Sequence, residues 1–316
     1  MAAVMLDEGI DAGLAWHYGN PVAEGRAMAD GLGVADLGNR DVVEVEGPDR
    51  LTWLHALTSQ HLESLSPGVA TTALILAPTG HIEHVLHGVD DGNSFLAWTE
   101  PGRGAALVEW LDRMRFMSRV EVRLRPDLRM AWFGHRVAVP QGWVARDSEL
   151  GGSDVFAPRD AELPAGSAAA VPVGMWAFEA ARVAAGVPRI FVDTDHRTIP
   201  NEIGLMGTHL EKGCYRGQET VARVHTLGRP PRRLVQLHLD GSLSSLPDDG
   251  AQLMLDGRAV GFVGSSARHH ELGPIALGLV KRNVPVDASL LADDIPAAQE
   301  TLVDPDVGLH VRPTLR

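Results

Sequence analysis

The chain has one cysteine, Cys214, within "EKGCYRGQETVARVH", residues 211–225. Lys212 and Arg216 stand two residues to either side of it. If this segment is extended, alternate side chains put Lys212, Cys214 and Arg216 on one side. Two cations beside a thiol favour the thiolate, the form that attacks electrophiles and ligates metals. Gly213 and Gly217 let the backbone turn tightly and let a ligand approach. Inert buried cysteines sit among apolar neighbours. This one sits among Lys, Gly, Tyr, Arg and Gln, so the residue types point to a reacting or ligating sulfur.

Several chemistries are open to such a sulfur. A Cys–His dyad needs a base, and His209 or His225 could serve, although neither spacing fixes a geometry. An iron–sulfur cluster normally takes about four cysteines, so this chain cannot hold one alone. A zinc site from Cys214 and histidines lacks paired ligand spacing. One thiolate could still share a cluster with another protein, carry a transient adduct, or act as a redox sensor that dimerises through Cys214.

Other candidates read as structural. In "HIEHVLH", strand alternation sends His81 and His87 one way and His84 the other, as expected of rim histidines on a hairpin. "DTDH", Asp193 to His196, reads as a hydrogen-bonded acidic turn. The arginines from Arg113 to Arg129 alternate with Asp112, Glu121 and Asp127, the mark of a solvated strand face. No dinucleotide, Walker or nucleophile-elbow motif is present.

The elements that must position Cys214 are legible in outline. "DVVEVEG" reads as a strand. Asp49 is a plausible N-cap for a helix over "RLTWLHALTSQHLESL", with Leu51, Leu54, Leu57, His61 and Leu65 near one face. "VATTALILA", "HIEHVLHGV" and "SFLAW" read as strands joined by "PTG" and "DDGN" turns. Pro101 opens a helix carrying Leu107, Trp110, Leu111 and Met114, and "RVEVRLR" alternates strictly. Residues 140–172 look like loops and short strands. Pro172 opens "VGMWAFEAARVAAG", a helix with Gly186 at C′. "VPRIFVDTDHRTIPNEIG" reads as mostly extended. "GRPPRR" is a linker, and regular short strands from about residue 231 onward suggest a small β-barrel. The order is that of an α+β fold.

The 316 residues carry a formal net charge of −13, so a bulk grip on nucleic acid or an anionic membrane is not expected. Only two of the 28 basic residues are lysines, Lys212 and Lys281. One cysteine excludes an internal disulfide. The first twenty residues lack a basic, apolar leader pattern. The reading is a cytoplasmic protein.

"KGCYRGQE" closely resembles the signature of the YgfZ-type folate-binding proteins, relatives of the glycine-cleavage T-protein, an aminomethyltransferase. "VVEVEGPDRLTWLHALTSQH", "RVAAGVPR", "DTDHRTIPNEIG", "KGCYRGQETVARVHTLGRPPRRL" and "DGRAVGFVGS" follow in the family's order. The resemblance implies a T-protein-like ring. Residues 14–228 would form two intertwined ferredoxin-like α+β domains, one centred on 48–125, and residues 229–316 a C-terminal β-barrel. It implies tetrahydrofolate as ligand, and iron–sulfur client or carrier proteins as partners, among them enzymes that modify tRNA. Cys214 would be the functional cysteine, with Lys212 and Arg216 beside it. Gln218, Glu202, Arg223 and Tyr215 would be candidate ligand contacts.

Two positions depart from the T-protein. Its aspartate pair falls on Glu83 and His84, which argues against aminomethyl transfer. Its pterin-holding glutamate, in an R-x-E-A-G-like stretch, falls on Ala184. Glu179 lies about a turn and a half earlier on the same helix. The expected function is therefore support of iron–sulfur cluster assembly or repair through Cys214. The alternative is a tetrahydrofolate-dependent one-carbon transferase, with Glu83 as its acid.

Overall fold

A computed structural model describes residues 3–310. The first half of the chain holds β1 (Val4–Met5), β2 (Ala15–His17), α1 (Pro21–Ala29), β3 (Gly33–Leu37), β4 (Asp41–Glu46), α2 (Arg50–Leu57), β5 (Ala70–Leu76), β6 (Ile82–Asp90), β7 (Ser94–Thr99), α3 (Gly104–Arg113) and β8 (Glu121–Leu124). There follow β9 (Leu128–Phe133), β10 (Val144–Asp147), β11 (Ser153–Pro158), β12 (Val171–Val173), α4 (Met175–Ala184), a 3-10 helix (Pro200–Ile203) and α5 (Gln218–Leu227). The last part contains β13 (Arg232–Leu239), β14 (Gln252–Leu255), β15 (Arg258–His269), β16 (Gly273–Lys281), β17 (Leu290–Ala292) and β18 (Ile295–Thr301). Residues 311–316 of the segment expected to form the barrel lie outside the described residues.

One antiparallel sheet runs β5-β6-β7-β4-β8. Its apolar face packs on α2 and α3, burying Val43, Val45, Leu86, Phe95, Leu107 and Leu111 together. Leu107 and Leu111 are fully buried, each worth about 1.5–3 kcal/mol of transfer free energy. A second sheet runs β10-β11-β9-β3-β12, with β12 parallel to β3. Val42, Val89 and Leu96 of the first sheet share a core with Leu37, Trp132 and Phe156 of the second and with Phe178 on α4. Strands β13-β16-β15-β14-β17-β18 close a six-stranded barrel. The fold is thus mixed α+β with a closed C-terminal barrel.

Buried charges bolt the barrel to the rest. Arg182 on α4 donates to Asp193 at 2.7 Å and to Ser265 of β15 at 2.6 Å. The Ser265 amide donates to the other Asp193 oxygen at 2.7 Å. A Cβ at Gly264 would lie 2.4 Å from that carboxylate, so only glycine leaves it room.

Three expectations are corrected. Helix α2 ends at Leu57 and does not reach Leu65. Thr58 is extended, its hydroxyl donates back to Leu54 O, and Ser59 turns to bond Gly207 O and Leu74 N. The stretch 187–204 is mostly turns and a 3-10 helix, since Asp195 and Thr198 satisfy its amides locally. Pro172 lies in β12, and α4 starts after Gly174.

Candidate functional site

Cys214 is exposed. It lies in irregular backbone between a turn at 210–212 and the start of α5, so the segment is not an extended strand. Gly217 is the N-cap of α5 with φ +81°. Gln218 reaches back so that its Oε1 accepts from the Tyr215 amide at 3.1 Å, which closes the turn after the cysteine. Tyr215 is half-buried against the core of Leu74, Ile203 and Val221, and burial raises its phenol pKa.

Both flanking cations have partners of their own. The Lys212 ammonium donates to the backbone oxygens of His55 and, at 2.6 Å, of Thr58. It also lies 5.0 Å from the Tyr215 ring centroid. Burial pushes its pKa down to about 8, while the two carbonyl oxygens pull the other way. Arg216 donates to Glu83 at 2.8 Å and faces the Trp110 ring at 5.8 Å.

The remaining sequence candidates are scattered. Glu202 is buried and bonded to Arg232 at 2.8 Å and to the Ile199 amide at 3.1 Å, so it closes the 3-10 helix. Arg223 is exposed on α5. His225 is half-buried at the other end of α5, and its backbone oxygen accepts from Leu309. His209 is exposed, with its ring 5.4 Å from His61, which in turn is 4.8 Å from His55. Among the described residues, no group of three or more His, Cys, Asp or Glu is arranged to hold a metal ion.

A second feature lies where the two sheets meet α4. A cavity of about 40 Å³ is lined by His87, Trp98, Glu149, Asp154, Phe178 and Arg189, among others. This is room for a few waters. His87 is buried and stacks on Trp98, with ring centroids 4.0 Å apart. Asp154 accepts from Trp98 Nε1 at 3.1 Å. Arg146 bridges Glu149 at 2.8 Å and Asp154 at 3.4 Å. Thr72 donates to Glu149 at 2.8 Å, which ties the β10–β11 hairpin to β5.

Electrostatics differ among the cavity's acids. Burial raises the pKa of Asp154, which favours its neutral form. Burial works the same way on Glu149, but His87 and Arg146 outweigh it and hold its carboxyl well below the usual range. Arg40 and Arg189 likewise outweigh burial at Glu100.

Of the positions that depart from the T-protein, Ala184 packs toward the barrel in the core of Val183 and Leu277. Glu179 is held by Arg182 at 2.7 Å and Arg189 at 3.4 Å. Glu149 and Asp154 carried no signal in the sequence, because their hairpin lies in the pattern-poor stretch 140–172. Trp98 and His87 did sit on anticipated strands, and their pairing across β6 and β7 could have flagged them.

No model of a known protein family matches the chain. It is 25% identical to a putative chloroplastic transferase of Arabidopsis thaliana, over 81% of this chain and 67% of that protein. It is 24% identical to an aminomethyltransferase of Nostoc sp., over 87% of this chain and 85% of that one. The crystal structure of glycine cleavage system aminomethyltransferase T from Bartonella henselae superposes with a TM-score of 0.79 at 18% identity. It covers 97% of this chain and 95% of the other. No helix among the described residues is long and apolar enough to cross a membrane. The chain has the fold of the glycine-cleavage aminomethyltransferase T.

Proposed function

We propose that this protein supports iron–sulfur cluster assembly or repair, acting through Cys214 on a folate-site scaffold. The observation that carries the reading is the exposed position of the chain's one thiol, on a turn fixed on both sides by Lys212 and Gln218. An exposed thiolate can ligate a cluster presented by a partner protein or accept an adduct from it. The cluster is cargo here, and the partner supplies its other ligands.

Tetrahydrofolate is the ligand that the fold suggests. The chemistry of the cavity wall suits a pterin, while its resting volume of about 40 Å³ must expand to admit one: Trp98, His87 and Phe178 offer aromatic surface, and Glu149 and Asp154 offer the carboxyl acceptors that a pterin's amide and amino donors need. These two acids would take the part that Ala184 leaves empty. A bound folate would supply one-carbon chemistry. The chain's own residues would orient the ring and exclude water.

Replacing Cys214 by Ser and assaying iron–sulfur enzymes in cells lacking the native protein tests the proposal. Activities that stay low support it, and activities restored to the wild-type level overturn it.

A second reading, tetrahydrofolate-dependent aminomethyl transfer, is favoured by the names of the relatives. Its acid would be Glu83, and that carboxylate is already bound to Arg216. Product formation by purified protein from tetrahydrofolate and an aminomethyl donor would favour this second reading over the first.

A further inference from the structure

Three imidazoles cluster between the end of α2 and the segment that leads to Cys214. His55 sits on the last turn of α2. His61 lies in the loop that follows, its ring edge-on to that of His55 with centroids 4.8 Å apart. His209, five residues before the cysteine, places its ring 5.4 Å from that of His61. The two segments are tied together there, because the His209 amide donates to Ser59 O at 2.9 Å.

The cluster suits neutral rings. The Leu62 and Glu63 amides donate to His55 Nδ1 at 3.3 and 3.4 Å, so this ring carries its proton on Nε2. A second proton, on Nδ1, would set N–H against N–H and take both bonds away. It would also add charge beside the Lys212 ammonium, which donates to the backbone oxygens of His55 itself and, at 2.6 Å, of Thr58. Burial, Lys212 and His61 push the His55 pKa down, and His209 adds to them. The exposed Glu63 carboxylate pulls it the other way.

Lys212 links this cluster to the thiol. It stands two residues before Cys214, and its two carbonyl acceptors belong to the end of α2, where His55 lies. Once released from the cluster, His55 titrates at the ordinary imidazole value of about 6.5. In the cluster it titrates lower. The seated arrangement is therefore fully present above that ordinary value and is lost as pH falls below it.

We propose that His55, His61 and His209 form an acid-sensitive catch on the Cys214 turn: in mild acid the charged rings expel Lys212 from the end of α2, and the turn that carries the sulfur loosens. In neutral solution Lys212 stays seated and the turn stays fixed. The proposal adds regulation to the function proposed above and rests on that reading for its purpose, although the motion itself needs neither client nor cluster.

The test is hydrogen exchange read by mass spectrometry on the full-length protein, expressed as protection factors so that the intrinsic pH dependence of exchange cancels. From pH 7.5 to pH 5.5, protection at Leu62, His209 and Tyr215 should fall about threefold or more, the equivalent of roughly half a pKa unit. The barrel strands β15 and β16 should hold theirs. His55→Gln can still offer an acceptor but cannot take up charge, so its protection should stay level. A double variant, His61→Gln with His209→Gln, should at least halve the fall, and it keeps the test valid if the first variant does not fold. Lys212→Met should be weakly protected at both pH values, and His238→Gln, on the barrel, should behave as wild type. Level protection in the wild type, a fall shared by the barrel strands, or a full fall in His55→Gln or the double variant would each overturn the proposal. Cys214→Ser leaves the histidines in place and should keep the wild-type response whatever the cellular assay returns, so the two readings fail separately.

Discussion

The Lys212 ammonium donates to the Thr58 backbone oxygen at 2.6 Å, just past the C-terminus of α2. A helix C-terminus is negative and short of donors, so a cation there serves the helix. The same bond pins the segment that leads to Cys214. Sequence distance from the cysteine therefore understates what this lysine does. Lys212→Met keeps the stem and deletes the donor. It should lower stability by about 1 kcal/mol, read by chemical denaturation. Alkylation of Cys214 by iodoacetamide should remain rapid, since the sulfur is exposed in either case.

The two glycines of the motif should separate cleanly. Gly217 has φ +81°, and a Cβ there would stand 2.4 Å from the Ala77 carbonyl oxygen. Gly217→Ala combines left-handed strain with a backbone clash and should cost about 2 kcal/mol or more. Gly213 has nothing within 4 Å of its missing Cβ, and Gly213→Ala should change stability by less than about 0.5 kcal/mol. Thermal melts of the two variants give the comparison.

His84 makes stability depend on acidity. Its folded-state pKa is pushed from 6.5 to about 4, chiefly by burial. Between those values the unfolded chain binds the proton and the folded one does not, so stability falls as pH drops through that window. The contribution is up to about 3 kcal/mol. His84→Gln should remove that part of the slope, measured as the difference in urea midpoint between wild type and variant at pH 7 and pH 5.

Removing one partner of the buried Arg182–Asp193 pair should be severe. Asp193→Asn leaves the Arg182 guanidinium with less compensation at the seam between α4 and the barrel. A loss of about 3–5 kcal/mol is expected. Limited proteolysis should show faster cutting within the barrel segment. An unchanged cutting pattern would mean that the seam is held by apolar contacts instead.

Much of the secondary structure was legible because it rests on local pattern. β4, β5, β6 and β7 fall where alternation and turn residues put them, and Gly186 does end α4 with φ +67°. Helix α5 escaped notice. Its buried face is little more than Val221, so hydrophobic periodicity carried no signal there. The arginine run is only partly the solvated strand face expected: Arg123 on β8 is partly exposed and pairs with Glu44 and Glu46, whereas Arg113 lies on α3 and Arg129 is largely buried against Asp36. The site was harder. Lys212, Cys214 and Arg216 are neighbours in sequence, yet the two cations turn to α2 and to β6. The cavity joins residues as far apart as Leu37 and Arg189, a grouping that depends on how two sheets pack and leaves no trace in local order.

The Glu149 hairpin sets a timing constraint. A bicyclic ring does not fit into room for a few waters, so the resting molecule keeps such solutes outside. If the pterin proposed above enters here, the Glu149 carboxylate would first have to leave Thr72 and Arg146. Uptake would then proceed at the frequency with which the latch springs, slower than collision, and measured affinity would be diluted by the fraction of molecules standing ajar.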